Sequence, residues 1–109
     1  MQLIISSRGM VLTRAFKAVV ERKVGRLERL GSPTLEVRVT CGAERFQRTA
    51  RMVARTRQRS FSSAASADRL LPAVEGAIDA LCRQMREART RRRRVRARGP
   101  ATDARLLGA

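Results

Sequence analysis

Nine arginines between Arg83 and Arg98 stand against a single acid, Glu87, and they define the chemistry open to this chain. A guanidinium holds a permanent positive charge and a planar fork of donors, which suits phosphate and carboxylate oxygens and makes it a binding group rather than a reactive one. The bias runs through the whole sequence: 25 lysines and arginines against nine aspartates and glutamates give a net charge of +16, and only Lys17 and Lys23 are lysines. A mutational preference for arginine codons accounts for arginine over lysine but not for the excess itself. The partner that such charge calls for is a nucleic acid. Catalysis lacks its parts. There is no histidine, and without clustered carboxylates, a phosphate-cradling glycine loop or metal-ligand spacing, nothing pairs a nucleophile with a base or supplies a Lewis acid. The sequence therefore calls for no enzyme and no cofactor. Phe16, Phe46 and Phe61 are the only aromatics, too few for a platform on which bases stack.

The arginines need a scaffold, and their own segment begins as one. Leu70, Val74, Ala77, Ile78, Leu81, Met85 and Ala88 recur at steps of three and four, so the spacing predicts a helix over 68–98 whose first half is core. Asp68, Glu75 and Asp79 near its start and arginines near its end also suit the helix dipole, which does not require nine of them. Pro72 is tolerable only in a first helical turn, which moves the start past Asp68. Beyond Ala88 the apolar stripe ends, because Arg92 and Arg96 take the positions that apolar residues held upstream. From Thr90 the segment is expected to be a frayed helix or a disordered tail.

Upstream, Gln2 to Ser6 reads as a strand bounded by Ser7, Arg8 and Gly9. Thr13 is a good N-cap for a helix to about Leu30, stopped by Gly31, Ser32 and Pro33. Its buried arc is Phe16, Val19, Val20, Val24, Leu27 and Leu30, and rotation by about 100° per residue puts Arg22, Arg26 and Arg29 on one flank and Glu21 and Glu28 on the other. Lys23 projects into the apolar arc, where its ammonium must snorkel along a neighbouring element or line a groove. Thr34 to Cys41 alternates, with Leu35, Val37, Val39 and Cys41 facing in. After a Gly42 to Arg45 turn, Phe46 to Thr56 is a third strand and Phe61 to Ser66 a fourth, thin in bulk. Thr56 to Arg59 has no Gly or Asn for a tight hairpin turn and is expected to be loose. Between Glu44 and Asp68 lie six arginines and no acid, a second basic surface.

The order β-α-β-β-β-α, with one side of the sheet apolar and two helices to cover it, is an α+β two-layer sandwich: a four-stranded sheet with both helices on one face. At 109 residues the chain holds one such core. Cys41 and Cys82 fall in apolar positions without zinc-site spacing and read as buried thiols. The short apolar N-terminus leads into a strand rather than a cleavage site, and no apolar run approaches the ~20 residues that span a bilayer, so a cytoplasmic protein without a membrane partner is expected.

Four stretches carry a resemblance. The opening Met1-Gln2-Leu3 with Ile5, the helix containing Glu21-Arg22-Lys23-Val24-Gly25-Arg26-Leu27-Glu28, the Glu36-to-Thr40 strand and the segment Ala73-Val74-Glu75-Gly76-Ala77-Ile78-Asp79-Ala80-Leu81 resemble the ribosome hibernation-promoting factor and ribosome-associated inhibitor A family. The likeness covers about residues 1 to 90. It implies the same element order, similar to double-stranded-RNA-binding domains, and a protein that occupies the messenger and transfer RNA channel of the small ribosomal subunit. On matching positions it implies that Lys23 and Arg26 on the first helix, and Arg83 with Arg86 and Arg89 on the second, contact ribosomal RNA phosphates. The sequence departs from the pattern at the hairpin turn before the fourth strand and in that strand, where Thr56-Arg57-Gln58-Arg59 and Phe61-Ser62-Ser63-Ala64-Ala65-Ser66 replace a Gly-containing turn and a His and Glu.

The expectation is thus a ribosome-binding translation inhibitor that acts by steric occupancy. Its partner is the small subunit and its rRNA rather than a small-molecule substrate, and off the ribosome it is a monomer. Residues 1–90 form the ribosome-binding domain and 91–109 a basic tail. The contacting residues are Arg22, Lys23, Arg26, Arg29, Arg83, Arg86, Arg89, Arg91, Arg92, Arg93 and Arg94. A general double-stranded or structured RNA-binding module, or a structural ribosome- or nucleoid-associated protein, is the alternative that composition leaves open.

Overall fold

The computed structural model describes residues 1–29 and 34–108, with side chains as far as Arg91. The elements are β1 (Gln2–Arg8), α1 (Arg14–Val24) continued by a 3-10 helix (Gly25–Arg29), β2 (Thr34–Glu44), β3 (Gln47–Thr56), β4 (Ser60–Ala67) and α2 (Leu70–Gly108). The strands form one sheet in chain order, β1 parallel to β2 and the other pairs antiparallel. Val20, Val24 and Leu27 from the first helical segment, Val37, Val39 and Met52 from the sheet, and Ile78 and Leu81 from α2 are fully buried in a single core. This is the α+β sandwich that the hydrophobic pattern predicts, with both helices on one face and the other face of the sheet open.

Local chemistry explains where α1 begins and changes. Gly9, at φ 73°, turns the chain out of β1 in the left-handed region that favours glycine. Thr13 caps the helix: its hydroxyl accepts from the Phe16 N–H at 3.0 Å and its carbonyl from the Lys17 N–H at 3.1 Å. After Val24 the helix tightens to 3-10 geometry, in which side chains three apart eclipse, so Arg26 and Arg29 stay aligned. The expected stop at Gly31, Ser32 and Pro33, together with Leu30, lies outside the described residues.

The sheet corrects the sequence reading at three points. A bulge between Thr34 and Glu36 shifts the register against β3, so Thr34 points in and Leu35, expected in the core, is 42% exposed. The strand does not end at Gly42: β2 runs on to Glu44, pairs with Gln47, and leaves Arg45 and Phe46 as a two-residue turn. No described residue other than glycine has positive φ, so this turn is not of the primed type that hairpins favour. The β3–β4 connection, expected to be loose, is clipped by Thr56, whose N–H and hydroxyl both donate to the Arg59 carbonyl at 2.9 Å.

α2 starts at Leu70, which places Pro72 in the first turn, where a missing N–H costs nothing. The small residues of β4 let this helix lie close against it. A Cβ built on Gly76 meets the Ala65 Cβ at 3.1 Å, the Ser63 hydroxyl donates to the Ala77 carbonyl at 2.7 Å, and the Gln84 side-chain amide donates to the Ser62 carbonyl at 2.7 Å. A thin fourth strand is thus the counterpart of a close helix. Gly76→Val forces bulk into this contact and should lower unfolding free energy by about 1–3 kcal/mol in denaturant titration; unchanged stability would mean that α2 moves off β4 at no cost.

The helix does not stop where its apolar stripe does. Its 39 residues span about 58 Å at 1.5 Å each, whereas the 11 residues of β2 cover about 36 Å. The backbone remains helical to Gly108 through the stretch that the sequence assigns to a tail, and the last buried side chain among those described is Ala88.

Candidate nucleic-acid interface

The first helical segment and α2 lie side by side on the sheet, and their facing rows carry opposite charge. Lys23 and Arg26, three apart, face Glu75 and Asp79, four apart. The Lys23 Nζ stands 3.7 Å from a Glu75 carboxylate oxygen, and an Arg26 guanidinium nitrogen donates to Asp79 at 3.2 Å. Lys23 therefore neither stays buried nor lines the groove: it snorkels across to α2. Both pairs are well exposed, and such pairs contribute roughly 0–1 kcal/mol, so they align the helices without locking their cations away from a stronger anion.

A groove opens beyond these pairs. Arg26 forms one wall, Arg83, Arg86 and Arg91 the other, and Cys82 lies at its floor, with Asp79 and Glu87 as the acids within it. The second wall is made by helical periodicity, because Arg83, one residue past the buried Leu81 and Cys82, and Arg86, next after the buried Met85, are rotated outward. Among the described residues neither Arg83 nor Arg86 forms an ion pair, so both forks are available. Burial pushes the Cys82 thiol up, Arg26 and Arg86 pull against that rise, and Asp79 adds to it. Cys41 is raised by burial alone. Both are free, buried thiols.

Of the residues singled out from sequence, the structure gathers Arg26, Arg83, Arg86 and Arg91 around this groove and leaves Lys23 outside its lining, beside Glu75. Arg22 and Arg29 are exposed on the first helical segment and Arg89 is half-buried on α2, none of them lining the groove. The side chains of Arg92, Arg93 and Arg94 lie outside the described residues. Glu75 and Asp79, assigned from sequence only to the helix dipole, prove to be the counter-ions of the facing segment, a role no local pattern signals across 53 residues of chain.

The second basic surface divides. Arg51 and Arg55 project from the open face of the sheet, where Glu36 accepts from Arg38 at 3.2 Å and stands 4.0 Å from Arg55. Arg57 and Arg59 occupy the β3–β4 turn, with the Arg59 guanidinium 4.6 Å from the Phe61 ring centre. Among the described residues no helix is long and apolar enough to cross a membrane.

No curated protein matches the chain in sequence. In structure it is similar to the N-terminal domain of Thermus thermophilus Protein Y, with a TM-score of 0.74 and 20% identity over 80% of this chain and 98% of that one. It is equally similar to a ribosomal subunit interface protein from Coxiella burnetii, with a TM-score of 0.75 and 12% identity over 83% of this chain and 99% of the other. At such identities the likeness is one of fold. The family model described as sigma 54 modulation protein / S30EA ribosomal protein matches residues 3–93, nearly the whole sandwich and the first arginines beyond it. The resemblance carried by the first helix and the Ala73–Leu81 segment is therefore upheld, and the chain belongs to the sigma 54 modulation protein / S30EA ribosomal protein family.

Proposed function

We propose that this protein binds the small ribosomal subunit through the groove between its helices and silences the ribosome by occupying the messenger and transfer RNA channel. Membership of the family and likeness to a ribosomal subunit interface protein support the ribosome as partner. The observation that carries the reading is the groove itself. Arg26, Arg83 and Arg86 line it from two elements that a common core holds rigid, which matches phosphates in a fixed arrangement rather than charge in general. The rRNA backbone is the ligand, Arg89 and the arginines 91–94 extend the contact along α2, and Arg22, Lys23 and Arg29 flank it. Such a protein works in the cytoplasm, as a monomer off the ribosome, and inhibits in proportion to its ratio to ribosomes because it blocks rather than modifies them.

Co-sedimentation with isolated small subunits tests this reading. Binding should saturate at one copy per subunit and be displaced by transfer RNA. Binding that transfer RNA leaves untouched would place the protein elsewhere on the subunit, and equal affinity for any RNA duplex would make it a general duplex binder. One substitution should strengthen the complex. Asp79→Asn frees Arg26 from its ion pair and removes a carboxylate from the groove, so affinity should rise several-fold and the salt dependence by about one phosphate contact. Weaker binding would mean that Asp79 positions Arg26 rather than competing for it.

A further inference from the structure

The open face of the sheet ends in a second constellation that the helices do not share. At the β2–β3 turn Phe46 is 85% exposed, its ring held off the core by a two-residue connection and flanked by the exposed Arg45. Back along β2 from this turn, Gly42 leaves a trough in the sheet surface. Arg8 is its register partner on β1 and Thr49 on β3, with Thr40, Arg51 and Glu44 completing the wall. A Cβ on Gly42 would fill the floor and stand 2.8 Å from the Thr49 hydroxyl. Among the described residues neither Arg8 nor Arg51 forms an ion pair, unlike Arg38 and Arg55 farther along the same face, which share Glu36.

We propose that this end of the sheet is a second RNA contact, in which the trough at Gly42 takes a backbone phosphate between Arg8 and Arg51 while Phe46 stacks on an unpaired base. The inference rests on RNA being the partner and adds a single-strand site on the face opposite the helices. Two guanidinium forks and two threonine hydroxyls are a donor set for phosphate oxygens. Glu44, the one acid on the wall, is an acceptor for a ribose hydroxyl rather than a phosphate. A lone exposed aromatic beside a cationic trough is the minimal form of single-strand recognition, stacking for the base and charge for the backbone. It falls short of the platform that three phenylalanines could not build, and one base needs no more. Contacts on both faces would let the domain wedge between two RNA segments.

Phe46→Trp turns the contact into its own reporter, since the chain has no tryptophan or tyrosine. Titrating a single-stranded RNA of about ten nucleotides into this full-length variant should quench the indole emission. Phe46→Ala should lose on the order of tenfold in affinity for the same RNA with an unchanged salt slope. Arg8→Gln combined with Arg51→Gln should lower the slope by about 1.4, and in a Phe46→Trp background should keep the quenching at saturation. Emission unmoved by saturating RNA, or a Phe46→Ala affinity within about twofold of wild type, overturns the proposal. So does emission that responds to phosphatidylserine vesicles but not to RNA. Wild-type protein that co-sediments with small subunits while these variants bind RNA unchanged removes the sheet site and leaves the helix groove. Wild-type protein that ignores small subunits, with the Phe46→Trp variant still quenched by RNA, removes the ribosome and leaves the sheet site.

Discussion

Reversing Arg26, Arg83 and Arg86 to Glu in one chain should reduce affinity for the small subunit by on the order of 100-fold or more at moderate salt, while Glu21→Gln and Glu28→Gln leave it unchanged. The three arginines line one groove from two elements, so each reversal replaces an attraction by a repulsion at the same surface. Each phosphate contact carries about 0.9 of the slope of log affinity against log salt, and three lost contacts should flatten that slope by nearly three. The glutamates stand on the opposite flank of the first helical segment, where neutralising them alters net charge without touching the groove. Matched triple reversals elsewhere separate geometry from bulk attraction: Arg38, Arg55 and Arg57 to Glu make the same change in net charge on the open face and the turn beside it, away from both the groove and the trough at Gly42. Binding curves for that variant that fall with those of the groove variant would refute a docking groove and leave diffuse attraction. Arg22→Glu and Arg29→Glu, which lie outside the groove, should each cost less than Arg26→Glu. The fold should survive all of these changes, because every substituted side chain is exposed and the core contains none of them.

The sequence made the scaffold of this site legible and its wiring much less so, for physical reasons that differ by element. The stripe from Leu70 to Ala88 could be read because a helix converts spacing into facing without help from the rest of the chain, and all of it except Leu70 is buried. Thr13 could be read for the same reason: a cap is satisfied within three residues. Strand facing depends on pairing, and one bulge was enough to turn Leu35 outward and Thr34 inward. The glycine at 42 misled in another way. Its usual meaning is a turn, but in this sheet it leaves a gap between Arg8 and Thr49, and the chain continues as strand to Glu44. That shift also moves Phe46 from the start of a strand to the tip of a hairpin, where it is free to touch a partner. The basic edge of the first helix was visible as charge segregation. Its pairing with Glu75 and Asp79 was not, because salt bridges between segments half the chain apart leave no local pattern.

Deleting residues 90–109 should lower the salt slope of RNA binding by several units and leave the thermal transition nearly unchanged. We propose that the folded domain ends at this point although the helix does not. Ala88 is the last buried side chain among those described, and Thr90 and Arg91 face solvent. α2 is also longer than the sheet it packs on, so its distal part overhangs the core. A helix without a core beside it is stabilised by little more than propensity and its own hydrogen bonds. The run Arg91-Arg92-Arg93-Arg94 with Arg96 and Arg98 adds repulsion that only an anion relieves. The segment then acts as a comb of cations whose helix is held straight by the phosphates it meets, and its removal subtracts about 0.9 of salt slope for each duplex phosphate released, or about 0.7 on a single strand. Circular dichroism of the full chain should accordingly show helix content rising when duplex RNA is added, a gain that the truncated chain lacks. A truncated protein that melts many degrees early would place the distal helix inside the folded core, and one that keeps the full salt dependence would leave the groove and the sheet to account for RNA binding without the comb.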